Sequence, residues 1–163
     1  MNSKKMTYSL YEGTFTTEAP ALEHSVNILM FRDPEQKEYN IVINRTYLDK
    51  DQTVEQFCEK EMEALRNRLP AFEMEGKMLK SEIGPLKLPV IQIANKYIHE
   101  AKLSRQVQSV IKLPFHETVN PDSDRIIVFT LNSTDEFTEH QRKHYVRIIN
   151  SFTPFTSPLK VEV

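Results

Sequence analysis

Residues 25–32 read Ser-Val-Asn-Ile-Leu-Met-Phe-Arg, and residues 125–133 read Arg-Ile-Ile-Val-Phe-Thr-Leu-Asn-Ser. Both runs have the alternation of β-strands, yet apolar side chains fall on both sides of each strand. In the first run, Val26 and Ile28 point to one side, whereas Leu29 and Phe31 point to the other. Because an antiparallel sheet with one wet face alternates cleanly between apolar and polar residues, these runs indicate a sheet that needs cover on both faces.

Further strands are predicted on either side of these two runs. Residues 39–47 alternate after a polar turn at 33–37 and form a hairpin with the strand before them, and residues 8–16 predict an opening strand. Runs rich in β-branched residues, separated by turn residues, predict an antiparallel meander over residues 77–83, 86–99, 103–113 and 125–133.

Two amphipathic helices are predicted, and each begins with a capping box: Thr53 with Gln56, and Thr138 with Gln141. Their apolar stripes comprise Val54, Phe57, Cys58, Met62, Leu65 and Leu69 in the first helix, and Tyr145, Ile148, Ile149 and Phe152 in the second. The fold class is therefore α+β: a twisted antiparallel sheet of five to seven strands, two amphipathic helices and a concave apolar sheet face.

Two helices of this length cover one face of such a sheet, or half of each face. The remaining apolar surface needs another cover, because large contiguous apolar patches are uncommon on monomers. A second copy of the chain, an apolar ligand or a segment of another protein would supply it. The alternative is a strongly curled sheet that packs both faces internally.

Composition excludes several classes of function. The 163 residues predict one domain over residues 1–153 and a C-terminal tail over 154–163. A net charge of −2 argues against general nucleic-acid binding, and three scattered glycines exclude Gly-rich nucleotide loops. The single cysteine excludes an internal disulfide and a multi-cysteine zinc site. No apolar run follows Lys4 and Lys5, so we expect a cytoplasmic protein without stable membrane insertion.

No group of residues assembles a nucleophile, a base and an oxyanion donor. His140 and His144 lie four residues apart on the polar side of the second helix, which predicts a solvated face and not a metal site. Cys58 lies on an apolar stripe and is predicted to be a buried, inert thiol. Arg105 is predicted to form cross-strand ion pairs. We therefore expect no enzymatic activity, no metal and no cofactor.

Five short motifs, taken in order, resemble the DcrB-related proteins, specifically the Eag-type chaperones of type VI secretion. They are Ser-Val-Asn-Ile-Leu at 25–29, Ile-Val-Ile-Asn-Arg at 41–45, Leu-Arg-Asn-Arg-Leu-Pro-Ala-Phe at 65–72, Arg-Gln-Val at 105–107 and Phe-Thr-Leu at 129–131. The resemblance spans residues 8–153. It implies a PsbP-like fold, a homodimer, and cytoplasmic binding of the N-terminal transmembrane helices of toxic effectors, which stay soluble until a PAAR domain loads them onto the VgrG spike.

The resemblance also implies a groove for these helices. Carried over position by position, it is lined by Val26, Ile28, Val42, Glu61, Leu65, Leu69, Gln106 and Val128. Gln106 is the polar candidate, because an amide both donates and accepts hydrogen bonds toward a buried helix; alternatively it is only a cross-strand neighbour of other polar side chains. Leu65 is larger than the small residue expected at a close helix approach, and Glu61 stands where a neutral amide would suit an apolar ligand better.

Three hypotheses of function follow. The first is a non-enzymatic chaperone or adaptor that shields the membrane helices of a type VI effector. The second is a PsbP-like soluble module that recognises a folded partner by surface charge, which predicts salt-sensitive binding. The third and weakest is a small hydrolase or isomerase that uses Arg105 and a histidine, which requires a closed pocket with converging polar groups.

Overall fold

A computed structural model describes residues 4–156 of the chain. The predicted C-terminal tail, residues 154–163, lies outside the described residues from 157 onward, as do residues 1–3 at the start of the predicted domain. The elements are β1 (Lys5–Ser9), β2 (Thr14–Glu18), β3 (Val26–Arg32), β4 (Glu38–Tyr47), α1 (Val54–Arg68), β5 (Glu73–Met74), β6 (Leu79–Ile83), β7 (Leu88–His99), β8 (Lys102–Lys112), β9 (Arg125–Ser133) and α2 (Glu139–Ser151).

Seven strands form one antiparallel sheet in the order β3-β4-β9-β8-β7-β5, and β6 also pairs with β7. The predicted α+β fold class is confirmed, with a separate two-stranded sheet made by β1 and β2. The predicted hairpin of β3 and β4 and the predicted meander from β6 to β9 are both present. Strand β9 lies at the centre, which explains why it is apolar on both faces.

Both helices begin as the capping boxes predict. In α1 the Thr53 hydroxyl accepts a hydrogen bond from the Gln56 backbone N–H at 3.1 Å, and the Thr53 N–H donates to the Gln56 side chain at 2.9 Å. In α2, Thr138 and Gln141 make the same two bonds at 3.2 Å each. Two backbone donors are thereby satisfied at each N-terminus, where no intrahelical partner exists.

The two helices pack on opposite faces of the sheet and divide the core in two. On the α1 side the buried apolar residues are Leu48, Cys58, Met62, Ile91, Ile93, Val110 and Ile126. On the α2 side they are Tyr39, Ile41, Ile83, Leu88, Val90, Ile111, Ile127, Phe129, Leu131, Tyr145 and Ile149. Each helix covers part of one face, so the strands need apolar residues on both sides.

The predicted single opening strand over residues 8–16 is wrong. The structure has a hairpin of β1 and β2, with its turn inside that range, where the Leu10 N–H donates to the Gly13 carbonyl at 2.7 Å. The turn reverses the direction of the chain, so residues 8–16 cannot form one continuous strand. Strand β5, only two residues long, is too short to leave a periodic signal and was not predicted.

Candidate binding groove

On the face of the sheet that carries α1, side chains form rows that cross the strands. Residues opposite each other in an antiparallel sheet point to the same face. Ile28 on β3 lies opposite Val42 on β4, Val42 opposite Thr130 on β9, and Thr130 opposite Gln108 on β8. The row ends at Ile93 on β7, which is buried beneath α1. One continuous surface therefore runs from the helix to the β3 edge.

The part of this surface nearest β3 is apolar and uncovered. The exposed fractions of Val26, Ile28 and Met30 are 48, 68 and 48%. Val42 and Val128, on the next two strands, are half-buried. The helix α1 packs mainly against β7 and β8, which β4 and β9 separate from β3. We call this open surface, together with the side of α1 that faces it, the groove.

A cleft of about 310 Å³ opens between α1 and the sheet. Its floor includes Val128, Thr130 and Gln108, and α1 contributes Phe57 and Glu61 to its wall. The lining is about half polar by residue type, so the deepest part of the groove is more polar than its outer edge. A bound apolar segment would meet hydrogen-bonding groups here and apolar side chains on β3 and β4.

A second row, next to the first, carries four amides. Asn40, Asn132, Gln106 and Asn95 follow one another in register across β4, β9, β8 and β7. The amide nitrogen of Gln106 donates to the Tyr97 hydroxyl at 3.2 Å. Within residues 4–156, the side-chain carbonyl oxygens of Gln106 and Asn95 are both buried without a hydrogen-bond donor. A buried acceptor without a donor costs free energy, so these two amides destabilise the isolated chain.

Of the eight residues that the resemblance implies, five lie on this face of the sheet: Val26, Ile28, Val42, Gln106 and Val128. The structure brings these positions from four strands onto one surface.

The three residues implied for α1 differ in their position. Glu61 is exposed and lines the cleft. Leu65 is half-buried and packs against the α1-side core, so part of its surface is already occupied. Leu69 lies at the C-cap, one residue beyond the end of α1, where its backbone is extended and its N–H donates to the Leu65 carbonyl.

Sequence reasoning missed several residues of the groove. The alternation places Met30 on the same side of β3 as Val26 and Ile28, but the residues implied by the resemblance do not include it. No such signal marks Thr130, Gln108 and the buried Asn95. A polar residue in a strand indicates a binding surface only when the strand register shows which residues lie beside it. Their positions depend on pairing between strands that are distant in sequence.

Cys58 is fully buried, as predicted, and its thiol is held in the neutral form. Its pKa is raised from 9.0 to about 12, first by burial and then by the negative charges of Glu61, Glu55 and Glu59. Since the thiolate is the nucleophile, this environment disfavours a role for Cys58 in covalent catalysis.

The raised pKa of Cys58 predicts a pH dependence of stability. Below pH 9 both states keep the thiol proton; above it the unfolded chain loses the proton while the folded chain keeps it up to about pH 12. The free energy of unfolding therefore falls as the pH rises from 9 toward 12. We expect this fall to be less steep in Cys58→Ala, by up to about 1.4 kcal/mol per pH unit, measured by urea denaturation at several alkaline pH values. Equal slopes for the two proteins would contradict the assignment.

The remaining polar candidates are engaged in contacts on the sheet and on α2. The prediction that both helix histidines are solvated is wrong for His144, which is half-buried and whose Nδ1 lies 2.8 Å from the Tyr39 hydroxyl. Burial, aided by the charge of Arg147, lowers the pKa of His144. Arg105 lies 3.7 Å from Glu75 and 4.0 Å from Glu136, which follow β5 and precede α2.

Residues 4–156 hold no group of three histidine, cysteine or acidic side chains placed to bind a metal ion. None of the helices in that range is long and apolar enough to span a bilayer.

The DcrB family matches residues 12–151, which is most of the chain. The chain belongs to the DcrB family. This match confirms the DcrB-related part of the resemblance, and the elements that form the groove, β3, β4, α1, β8 and β9, all lie within the matched residues. No curated protein matches the chain.

This DcrB-family chain is similar in structure to PA94, a protein of unknown function from Pseudomonas aeruginosa, with a TM-score of 0.71, 16% identity, and coverage of 93% of this chain and 98% of that one. At this identity the likeness shows a shared fold. LpqN of Mycobacterium tuberculosis, described as involved in cell envelope biogenesis, aligns with a TM-score of 0.49 and 13% identity over 91% of this chain and 87% of LpqN.

Proposed function

We propose that this DcrB-family protein is a cytoplasmic chaperone or adaptor that binds the N-terminal transmembrane helices of a PAAR- or Rhs-type type VI secretion effector. It shields these helices from water until the effector is loaded onto the VgrG spike. The observation that carries the proposal is the exposed apolar surface of β3, on the face of the sheet that carries α1, where Ile28 is 68% exposed. A transmembrane segment left bare in water aggregates or inserts prematurely, and such a surface would protect it.

The dimensions of the groove suit a helix. A helix with its side chains is about 10–12 Å across, and the two open strands β3 and β4 with their flanks offer a floor of about this width. Burying about 800 Å² of apolar surface contributes roughly 20 kcal/mol gross, much of which is offset by association and ordering. A stable complex is therefore reachable without covalent or metal chemistry.

The amide side chains on the floor of the groove also fit a transmembrane helix as the bound segment. A membrane helix often carries serine, threonine or asparagine side chains that hydrogen-bond to neighbouring helices. The row that contains Gln106 and Asn132 offers donors and acceptors on the same face of the sheet as the apolar side chains of β3. Small shifts of these side chains would let them bond to polar groups of a bound helix, as helices do with each other in a bilayer.

Release in this proposal does not require a nucleotide. The bound helices would pass to another apolar environment, and the equilibrium would follow the relative affinities of the two sites. Such a protein is an adaptor without catalytic residues, metal or cofactor. It contacts the VgrG spike only through the effector.

Co-expression tests the proposal. The full chain is produced with a soluble carrier protein fused to a helix of about 20 alternating leucine and alanine residues flanked by lysines. We expect the fusion to stay soluble and to co-elute with the chain in size-exclusion chromatography, with binding unchanged between low and high salt. Failure to co-elute contradicts the proposal. Salt-sensitive binding of an effector fragment that lacks its apolar helices would instead favour the recognition of a folded partner by charge.

A further inference from the structure

A separate cavity lies on the α2 face of the sheet, near the start of β9. It has a volume of about 190 Å³ and lies between the loop that joins β8 to β9 and the chain that follows α2. Because Ile127 on its wall belongs to the α2-side core, the cavity is on the side of the sheet opposite the groove. We call it the loop cavity, and its apolar walls come from Leu113, Val119, Ile127, Phe152, Pro154 and Phe155.

The loop that joins β8 to β9 is fixed by the buried side chain of Asn120. The Asn120 amide nitrogen donates to the carbonyl oxygens of Leu113 and Pro114 at 3.0 and 2.9 Å, and its side-chain oxygen accepts from the Arg125 N–H at 3.1 Å. His116 and Asn120 also exchange two backbone hydrogen bonds, at 3.1 and 3.0 Å. This wall of the loop cavity is therefore formed in advance, and a ligand need not order it on binding.

Two polar side chains on the wall of the loop cavity have hydrogen-bond donors to offer. The Nδ1 atom of His116 accepts from the backbone N–H groups of Thr118 and Val119 at 3.1 and 3.0 Å, so the neutral ring carries its proton on Nε2. The second side chain is Arg45 on β4, whose charged guanidinium donates to the Ser25 carbonyl at 3.4 Å. Within the described part of the chain, the guanidinium has no carboxylate partner and this Nε2 has no acceptor.

The lining of the loop cavity indicates the chemistry of a ligand. Apolar walls beside a guanidinium and an N–H donor match a carboxylate at the end of an apolar chain, because the chain leaves water while the carboxylate accepts charge-assisted hydrogen bonds. A peptide fits less well, since the backbone N–H and C=O groups of Leu113, His116 and Asn120 are already bonded within the chain. A ligand without polar atoms along its chain needs no such partners.

We propose that the loop cavity binds a free monocarboxylate with an unbranched apolar chain of about six carbons. At roughly 30 Å³ for each group the size of a water molecule, a volume of about 190 Å³ holds about six such groups. The carboxylate accepts from Arg45 and from the His116 Nε2–H, and the chain lies against Ile127 and Phe152. This site is separate from the groove, so the proposal is independent of the function proposed above.

Titration of the full chain with hexanoate, followed by the NMR signals of its backbone amides, tests the proposal. We expect saturable binding with a Kd below about 1 mM, and shifts concentrated in residues 113–124 and 152–156. Hexan-1-ol, which has the same chain without the charge, should bind about tenfold more weakly. Decanoate should bind no more tightly than hexanoate, because the loop cavity cannot hold its longer chain. No binding of hexanoate, or clearly tighter binding of decanoate, overturns the proposal.

Substitutions locate the ligand in the loop cavity. Arg45→Gln removes the charge of an exposed side chain, so it should weaken hexanoate binding about tenfold and leave the binding of hexan-1-ol unchanged. The matched control is Arg142→Gln, which is exposed on α2 outside the cavity wall and should bind hexanoate like the wild type. Val119→Trp fills the cavity from its rim and should abolish the binding of both compounds, with circular dichroism as the check of folding. Equal hexanoate affinities of the two arginine variants overturn the proposal.

Residues 157–163 follow the wall of the loop cavity in the sequence and are the alternative occupant. They read Ser-Pro-Leu-Lys-Val-Glu-Val, which also combines apolar residues with a carboxylate. Leu159→Asp in the full chain should leave the affinity for hexanoate unchanged if the cavity takes a free carboxylate. An affinity about tenfold higher in this variant would show that these residues fill the cavity in the wild type, and would overturn the proposal.

Discussion

Replacing Ile28 by aspartate is expected to weaken the binding of an apolar helix at least about a hundredfold, measured by titration of the helix fusion with the purified chain. Ile28 lies at the centre of the exposed apolar edge of the groove and is 68% exposed. A helix that covers this position would bury the carboxylate without a partner, which costs several kcal/mol. Because the side chain is solvated in the free chain, folding should be unaffected, and circular dichroism checks this.

The matched control for Ile28→Asp is Leu79→Asp. Leu79, like Ile28, is a large aliphatic residue on a strand, and it is 63% exposed, but it lies on β6, at the other edge of the sheet. Its register partner on β7 is Gln92, which lies between Ile91 and Ile93 of the α1-side core. Successive residues of a strand point to opposite faces, so Gln92 and Leu79 point away from the groove. We expect Leu79→Asp to bind the helix like the wild type. Equal affinities for the two variants would mean that the helix does not bind on the α1 face.

The second large effect concerns stability. Ile111→Ala in the α2-side core and Ile126→Ala in the α1-side core each remove a fully buried side chain. Each is expected to lower the free energy of unfolding by about 2 to 5 kcal/mol, because methylene contacts are lost and a cavity is left. For a chain of this size, this corresponds to a fall in Tm of roughly 5 to 20 °C, measured by calorimetry or thermal circular dichroism.

The same two variants test the prediction that residues 1–153 form one domain. Both cores are built on the same strands, so each substitution should shift a single cooperative transition. Leu79→Ala, at an exposed position, should change stability by less than about 0.5 kcal/mol. Two separate transitions, with each variant affecting only one of them, would show that the two faces of the sheet unfold independently.

Much of the secondary structure could be predicted because its causes are local. The capping boxes at Thr53 and Thr138 set the helix starts, and the alternation in residues 125–133 gave the bounds of β9. The hairpin of β1 and β2 was missed because five-residue strands with mixed exposure leave a weak periodic signal. The half-buried position of His144 was missed because its partner Tyr39 is 105 residues away.

The candidate groove could be predicted only in part. Alternation places Val26 and Ile28 on the same side of β3, and the resemblance suggested which other positions face them. The row of amides that joins Asn40, Asn132, Gln106 and Asn95 was not predictable, since it requires the register of four strands. Each of these amides taken alone is an unremarkable polar residue in a strand.

The sequence by itself determined the fold class, the two helices and the surplus of apolar strand surface, because hydrophobic periodicity and capping act over a few residues. The tertiary structure decided that β3 is the open edge, that α1 packs mainly against β7 and β8, and that the amides meet in one row. Strands of similar apolar pattern can pair in several orders with equal local preference. The order that forms is selected by the packing of the whole sheet between α1 and α2, which no single segment contains.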